Sequence, residues 1–163
     1  MLQYGSAFFE ADDTEESDFD ILMVAKSNEM TKFMESDDMN TFDATDIRNK
    51  FFFGRFFVEL GQEDGVEVYA ADQARIPQIK LIIEERLHVD ISFAVVSNTE
   101  FSGSVLLGNS VASQLSPLDD CTMLELHAVS CCEVIKDFVL QYVPAFRQYS
   151  SFLRNVKLWA QSR

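Results

Sequence analysis

Asp18 and Asp20 stand one residue apart at the head of the apolar run Ile21-Leu22-Met23-Val24-Ala25. A short, bounded apolar run of this kind reads as a buried strand. Strand side chains alternate, so both carboxylates fall on one face and Phe19 and Ile21 on the other. Two carboxylates at the rim of a buried strand repel each other unless a cation sits between them. Magnesium suits that place because it is hard and takes oxygen ligands. Farther on, His88-Val89-Asp90-Ile91-Ser92 alternates polar and apolar residues and puts Asp90 on a polar face. His88 shares that face. A hard metal prefers oxygen, so His88 is read as a solvated or hydrogen-bonded rim residue. Gly5-Ser6 lies upstream of the pair, with Ser6 twelve residues before Asp18. Glycine lets backbone N–H groups approach an anion, and the serine hydroxyl adds a donor.

Several elements must position these residues. A short segment ends at Tyr4 and is followed by the Gly5-Ser6 turn. The Asp18–Ala25 strand comes next, then a polar loop from Lys26 to about Phe42. Asp43 or Thr45 can cap a helix from about Thr45 to Leu60. Ile47, Phe51, Phe52, Phe56, Phe57 and Leu60 recur in it at helical spacing, which predicts a stripe packed on a sheet rather than a base-stacking platform. Gly61 is a plausible stop. Val66–Ala70 and Pro77–Ile83 alternate as strands, and Glu84-Glu85 turns the second into Arg86–Ile91, a hairpin that makes Asp90's strand antiparallel to its neighbour. A Ser/Gly-rich stretch runs from Phe101 to Ser116. A helix capped by Asp119 or Asp120 follows, with a break expected near Ser130 and a second helical stretch through Val139. A last helix is expected from Pro144, ending on the basic residues Arg154, Lys157 and Arg163.

Composition bounds the function classes. The chain has 163 residues, 47% of them hydrophobic, with fifteen Phe, which predicts one globular domain with a substantial core. The net charge of −14 argues against broad tracking of a nucleic-acid backbone, which needs Lys and Arg to replace counterions. Seven acidic residues fall between Glu10 and Asp20, and most of that run reads as a solvated loop. The three cysteines, two of them adjacent, make no disulfide framework, which points to a reducing compartment. Met1-Leu2-Gln3 has no charged or apolar leader character. No apolar run approaches the ~20 residues that cross a bilayer, so no membrane association is expected.

The order Gly-Ser, Asp-x-Asp at a strand start, then one Asp in a later strand is similar to that of the polymerase-beta-type nucleotidyltransferases. Val143-Pro144-Ala145-Phe146-Arg147 with Leu153-Arg154-Asn155-Val156-Lys157-Leu158-Trp159-Ala160 resembles a stretch of the eukaryotic poly(A) polymerase family. Ala74-Arg75-Ile76-Pro77-Gln78-Ile79-Lys80-Leu81 and Asp90-Ile91-Ser92-Phe93-Ala94 resemble two of that family's strands. The resemblance runs in family order from Tyr4 to Arg163. It implies an α/β (α+β) domain with a palm-like, mixed and largely antiparallel sheet and helices packed on one face. It also implies a single catalytic domain over residues 1–163, a fragment lacking the family's middle and RNA-binding domains.

The activity implied is addition of AMP from ATP to RNA 3′ ends, as in nuclear mRNA polyadenylation. Asp18, Asp20 and Asp90 would hold two Mg2+ (or Mn2+) ions, with Asp90 nearest the RNA 3′ hydroxyl. Gly5 and Ser6 match the phosphate-cradling turn, and Tyr4 stands where the family has Phe beside the nucleotide. Thr14 matches a position close to the phosphates, and Lys157 matches a lysine on the triphosphate. ATP, the RNA 3′ end and 3′-end processing proteins are the implied partners. Glu10 stands where the family's turn has a second glycine. Leu126-His127-Ala128-Val129-Ser130 lacks the Asn, Gly and Arg of the matching family run. The alternative is a non-catalytic nucleotidyltransferase-like remnant that binds a nucleotide or a protein.

Overall fold

A computed structural model describes residues 1–5, 9, 18–27, 29–30, 43–96, 119–143 and 145–162. Among these residues five strands form one sheet: β1 (Leu2–Tyr4), β2 (Asp18–Lys26), β3 (Val66–Ala71), β4 (Gln78–Ile83) and β5 (Leu87–Val96). Their spatial order is β1-β2-β5-β4-β3. Only β2 and β5 run parallel; β1–β2, β5–β4 and β4–β3 are antiparallel. The mixed, largely antiparallel α/β domain expected from the sequence is therefore what the chain forms.

Alternation along β2 and β5 gives two apolar faces, and helices cover both. On one side Val89, Ile91, Phe93 and Val95 pack with Ile21 and Met23 against a helix, α1, built of three consecutive segments: Ala44–Ile47, a π-helical Arg48–Phe56 and Phe57–Leu60. Asp43 caps it by accepting from the Asp46 amide, and Gly61 ends it. Phe52 stacks on Phe93 at 5.0 Å between ring centroids, so the aromatic stripe is core, as its spacing predicted. On the other side Leu22, Ala94 and Val96 pack against Leu126 and Val129 of α2 (Asp120–Tyr142). One-sided helix packing is thus corrected to two-sided. The cause is that the central strands are apolar on both faces beyond their first residues, as parallel-paired strands tend to be.

The break expected near Ser130 does not occur: α2 runs unbroken for 23 residues. Leu126 and Val129 pack the helix up to that serine, and one Ser costs a helix interior little; beyond it Val134, Ile135 and Phe138 are exposed and the helix continues without that packing. The last helix, α3, spans Phe146–Gln161. Pro144, its expected start, lies outside the described residues, as does the Phe101–Ser116 stretch. Among the described residues no helix is long and apolar enough to cross a membrane.

One buried polar cluster ties the two helical layers together. β5 runs past the last register pair with β4, Gln78↔Ser92, so its final residues have no β4 partner. Arg48 of α1 donates to the Phe93 carbonyl at 3.3 Å, and the Val95 amide donates to Thr122 Oγ1 of α2 at 3.2 Å. Arg48 also grips Asp119, the α2 cap, through two bonds of 2.8 and 3.1 Å. Burial would raise the Asp119 carboxyl, but the bonds from Arg48 and the Thr122 amide pull it below its usual range.

Candidate functional site

The parallel register pairs Asp20 directly with Asp90, and Asp18 with His88. Neighbouring strands lie about 4.8 Å apart, so the Asp20 and Asp90 side chains stand side by side on one face. Asp18 is on that face as well, two residues along β2. It is the same face that α2 covers farther along the strands. The three carboxylates therefore lie beyond the part of that face on which α2 packs.

β1 adds the next layer. Tyr4 is paired with Asp20 across the antiparallel β1–β2 ladder. Its hydroxyl lies 2.7 Å from Ser92 Oγ, a fully buried residue of β5. Burial pushes the Tyr4 phenol up, and the Asp20 charge adds to this against the opposing Ser92 bond. Gly5 follows with φ +73°, a left-handed conformation that favours glycine. A Cβ there would collide with Asp20 Oδ2 and come within 2.8 Å of Asp20 Cγ. Gly5 is thus needed both for the turn and for the close approach of backbone to carboxylate.

A cation in contact with one of these carboxylates is Lys80, to which the sequence reading gave no role. Lys80 of β4 is the register partner of Asp90, and its Nζ lies 2.6 Å from Asp90 Oδ2. The Asp90 bond raises the Lys80 pKa above its ordinary value; burial opposes this, and Asp18 and Asp20 reinforce it. The structure pairs Ile83 with Leu87, so three residues, Glu84–Arg86, form the loop and Lys80 falls opposite Asp90; a two-residue turn at Glu84-Glu85 would have set Lys80 opposite Val89, on the other face. His88 Nδ1 lies 3.9 Å from Asp18 Oδ1, as fits a rim residue.

Of the sequence-predicted residues, the structure brings Asp18, Asp20, Asp90, Tyr4 and Gly5 together. Lys157 is half-buried in the last two turns of α3. Ser6, Thr14 and Glu10 lie outside the described residues. Among the described residues no three His, Cys, Asp or Glu side chains converge as they stand to enclose a metal ion. Magnesium is commonly held by only one or two carboxylates plus phosphates and water, and the in-register Asp20–Asp90 pair fits that demand.

A second group was not foreseen. Glu125 of α2 is 1% exposed, and the described residues give its carboxylate no hydrogen-bond partner beyond a weak bond from the Phe93 backbone. Burial pushes its carboxyl up to about 8 and the Asp119 charge adds to this, against the attraction of Arg48 and the Phe93 backbone bond. It shares the buried face of α2 with Thr122, Leu126 and Val129.

The sequence matches no family model, and no curated protein resembles it at a significant level.

Proposed function

We propose that this chain is the catalytic domain of a polynucleotide adenylyltransferase, transferring AMP from ATP to the 3′ end of RNA. The observation that carries the reading is the side-by-side placement of Asp20 and Asp90 on β2 and β5, with Asp18 on the same face and the Gly5 turn against Asp20. In this reading Asp18, Asp20 and Asp90 hold magnesium or manganese, which when bound stabilises charge on the attacking and leaving oxygens. Asp90 lies toward the RNA 3′ hydroxyl. Gly5 and Ser6 cradle the triphosphate through backbone N–H groups and a hydroxyl. Tyr4 lies beside the nucleotide, Thr14 near the phosphates, and Lys157 supplies a point charge to the triphosphate. The same reading places the protein in the nucleus, among the 3′-end processing proteins.

A second reading is a nucleotidyltransferase-like module that binds a nucleotide or a protein without turnover. The Lys80–Asp90 ion pair favours it, because a lysine already satisfies one of the carboxylates. Primer extension separates the two. With ATP, magnesium and an oligoadenylate primer, the wild-type chain extends the primer, and Asp20→Asn and Asp90→Asn do not. Extension that survives both substitutions, or none by the wild-type chain, sinks the enzymatic reading.

A further inference from the structure

The geometry points to a role for Lys80 that deepens, and rests on, the reading of Asp18, Asp20 and Asp90 as a metal site. We propose that Lys80 is an internal counter-cation that competes with the divalent ion for Asp90. Loading of the site is thereby made dependent on the metal arriving together with nucleotide. Four observations carry this. Lys80, Asp90 and Asp20 stand in register across β4, β5 and β2, so the ammonium and the second carboxylate flank Asp90 from opposite sides. The Lys80–Asp90 contact is short, at 2.6 Å. The Asp90 side chain is only 14% exposed, so solvent screens the pair weakly from that side. The Lys80 side chain is 48% exposed, so the ammonium can swing away without unfolding any element.

The energetics favour exchange over permanent blockage. A lysine carries one charge on a flexible stem and donates hydrogen bonds. A divalent ion with phosphates attached brings more charge and completes its octahedron from ligands that the protein lacks. Free metal must displace Lys80 with only carboxylates and water to gain. Metal with a triphosphate also offers the displaced ammonium phosphate oxygens to pair with. Lys80 thus lowers the affinity for bare metal and strengthens the coupling between metal and nucleotide, a reciprocal effect by linkage.

Manganese binding, read by the loss of the free-ion electron paramagnetic resonance signal, tests this without any turnover. Wild type, Lys80→Gln and Arg86→Gln are titrated with and without ATP. Arg86 is an exposed residue on the same hairpin, so its loss changes the net charge equally. Lys80→Gln is expected to bind free Mn2+ on the order of tenfold more tightly than wild type. Its gain on adding ATP should shrink, and Arg86→Gln should behave as wild type. Adding Asp90→Asn to Lys80→Gln should abolish the gain. Equal Mn2+ affinity for wild type and Lys80→Gln overturns the proposal and leaves the metal-site reading standing. The same holds if Arg86→Gln tightens binding as much, or if the gain survives Asp90→Asn. Absence of Mn2+ binding by all three proteins, with ATP as well as without, overturns the metal-site reading and this proposal with it. Melting curves establish that each variant is folded at the titration temperature.

Discussion

Two residues, Gly5 and Glu125, show how tightly local chemistry is constrained on the face that bears the carboxylates. Gly5→Ala meets both a left-handed backbone and the Asp20 carboxylate. The backbone part alone costs about 1–3 kcal/mol. Because the Cβ contact is with Asp20, the penalty should be smaller in an Asp20→Ala background. A double-mutant cycle in urea measures that coupling, and strictly additive losses would show that Gly5 serves the turn alone. Glu125 makes a prediction in pH. Its folded carboxyl titrates near 8, against 4.5 for an ordinary glutamate. Between those values the unfolded chain has lost the proton that the folded chain keeps, so stability from this group falls as pH rises and levels off above about 8. Below about 4.5 the group carries no penalty. Unfolding free energies of wild type and Glu125→Gln, compared from pH 5 to 9, should diverge in favour of Gln by up to about 1.4 kcal/mol per pH unit. Parallel curves would mean that Glu125 is charged in the fold. Burial of this kind cannot be read from a lone Glu, because Lys, Glu, Arg and Asp are almost never fully buried without a partner.

Among the elements, those with local signals were legible and those set by long-range pairing were not. The strand at Asp18, the Asp43 cap, the Gly61 stop and the Glu84-Glu85 turn each rest on residues within a few positions of one another. The parallel pairing of β2 with β5 does not: it joins segments some seventy positions apart, and no local pattern states its direction. The π-helical stretch of α1 likewise lies against the sheet, whereas α2 continues past Ser130 with Val134, Ile135 and Phe138 exposed, so packing on the sheet does not account for that half. The β4–β5 hairpin deserves a test because it holds Lys80 against Asp90. Glu84 and Glu85 both have positive φ, at 52° and 59°. They are the central pair of a β-turn closed by the Arg86 amide on the Ile83 carbonyl at 3.1 Å, and a turn with positive φ at both central residues favours Asn-Gly over bulky side chains. Glu84→Asn with Glu85→Gly should stabilise the fold by about 1 kcal/mol, seen as a rise in melting temperature of about 2–4 °C. The Lys80–Asp90 register should be unchanged. A fall in melting temperature would mean that the two glutamates make contacts that offset their backbone strain.

The molecule as a whole is strongly acidic, at −14, yet its proposed ligand is a polyanion. That conflict makes individual cations decisive, and Lys157 is the one the sequence nominated. It sits on α3, whose Phe152, Val156 and Trp159 are exposed, so α3 is not held by apolar burial of that stripe. Its Ser150 is buried and donates to the Phe9 carbonyl at 2.8 Å, which ties α3 to the segment between the Gly5 turn and the Asp18 strand. In the adenylyltransferase reading proposed above, the cations of α3 would share with Lys80 the task of offsetting phosphate charge. If Lys157 meets the triphosphate, Lys157→Ala should weaken binding of magnesium–ATP by roughly 1.5–3 kcal/mol, the range for a hydrogen bond to a charged group. Thermal stability should then change by no more than about 1 kcal/mol, as for a surface ion pair. If Lys157 serves only the helix, its loss lowers stability slightly and leaves ATP affinity untouched. Isothermal titration beside melting curves reads both quantities on the same two proteins. Unchanged ATP affinity in Lys157→Ala, with Asp20→Asn still weakening it, would remove Lys157 from the site while keeping the carboxylates in it.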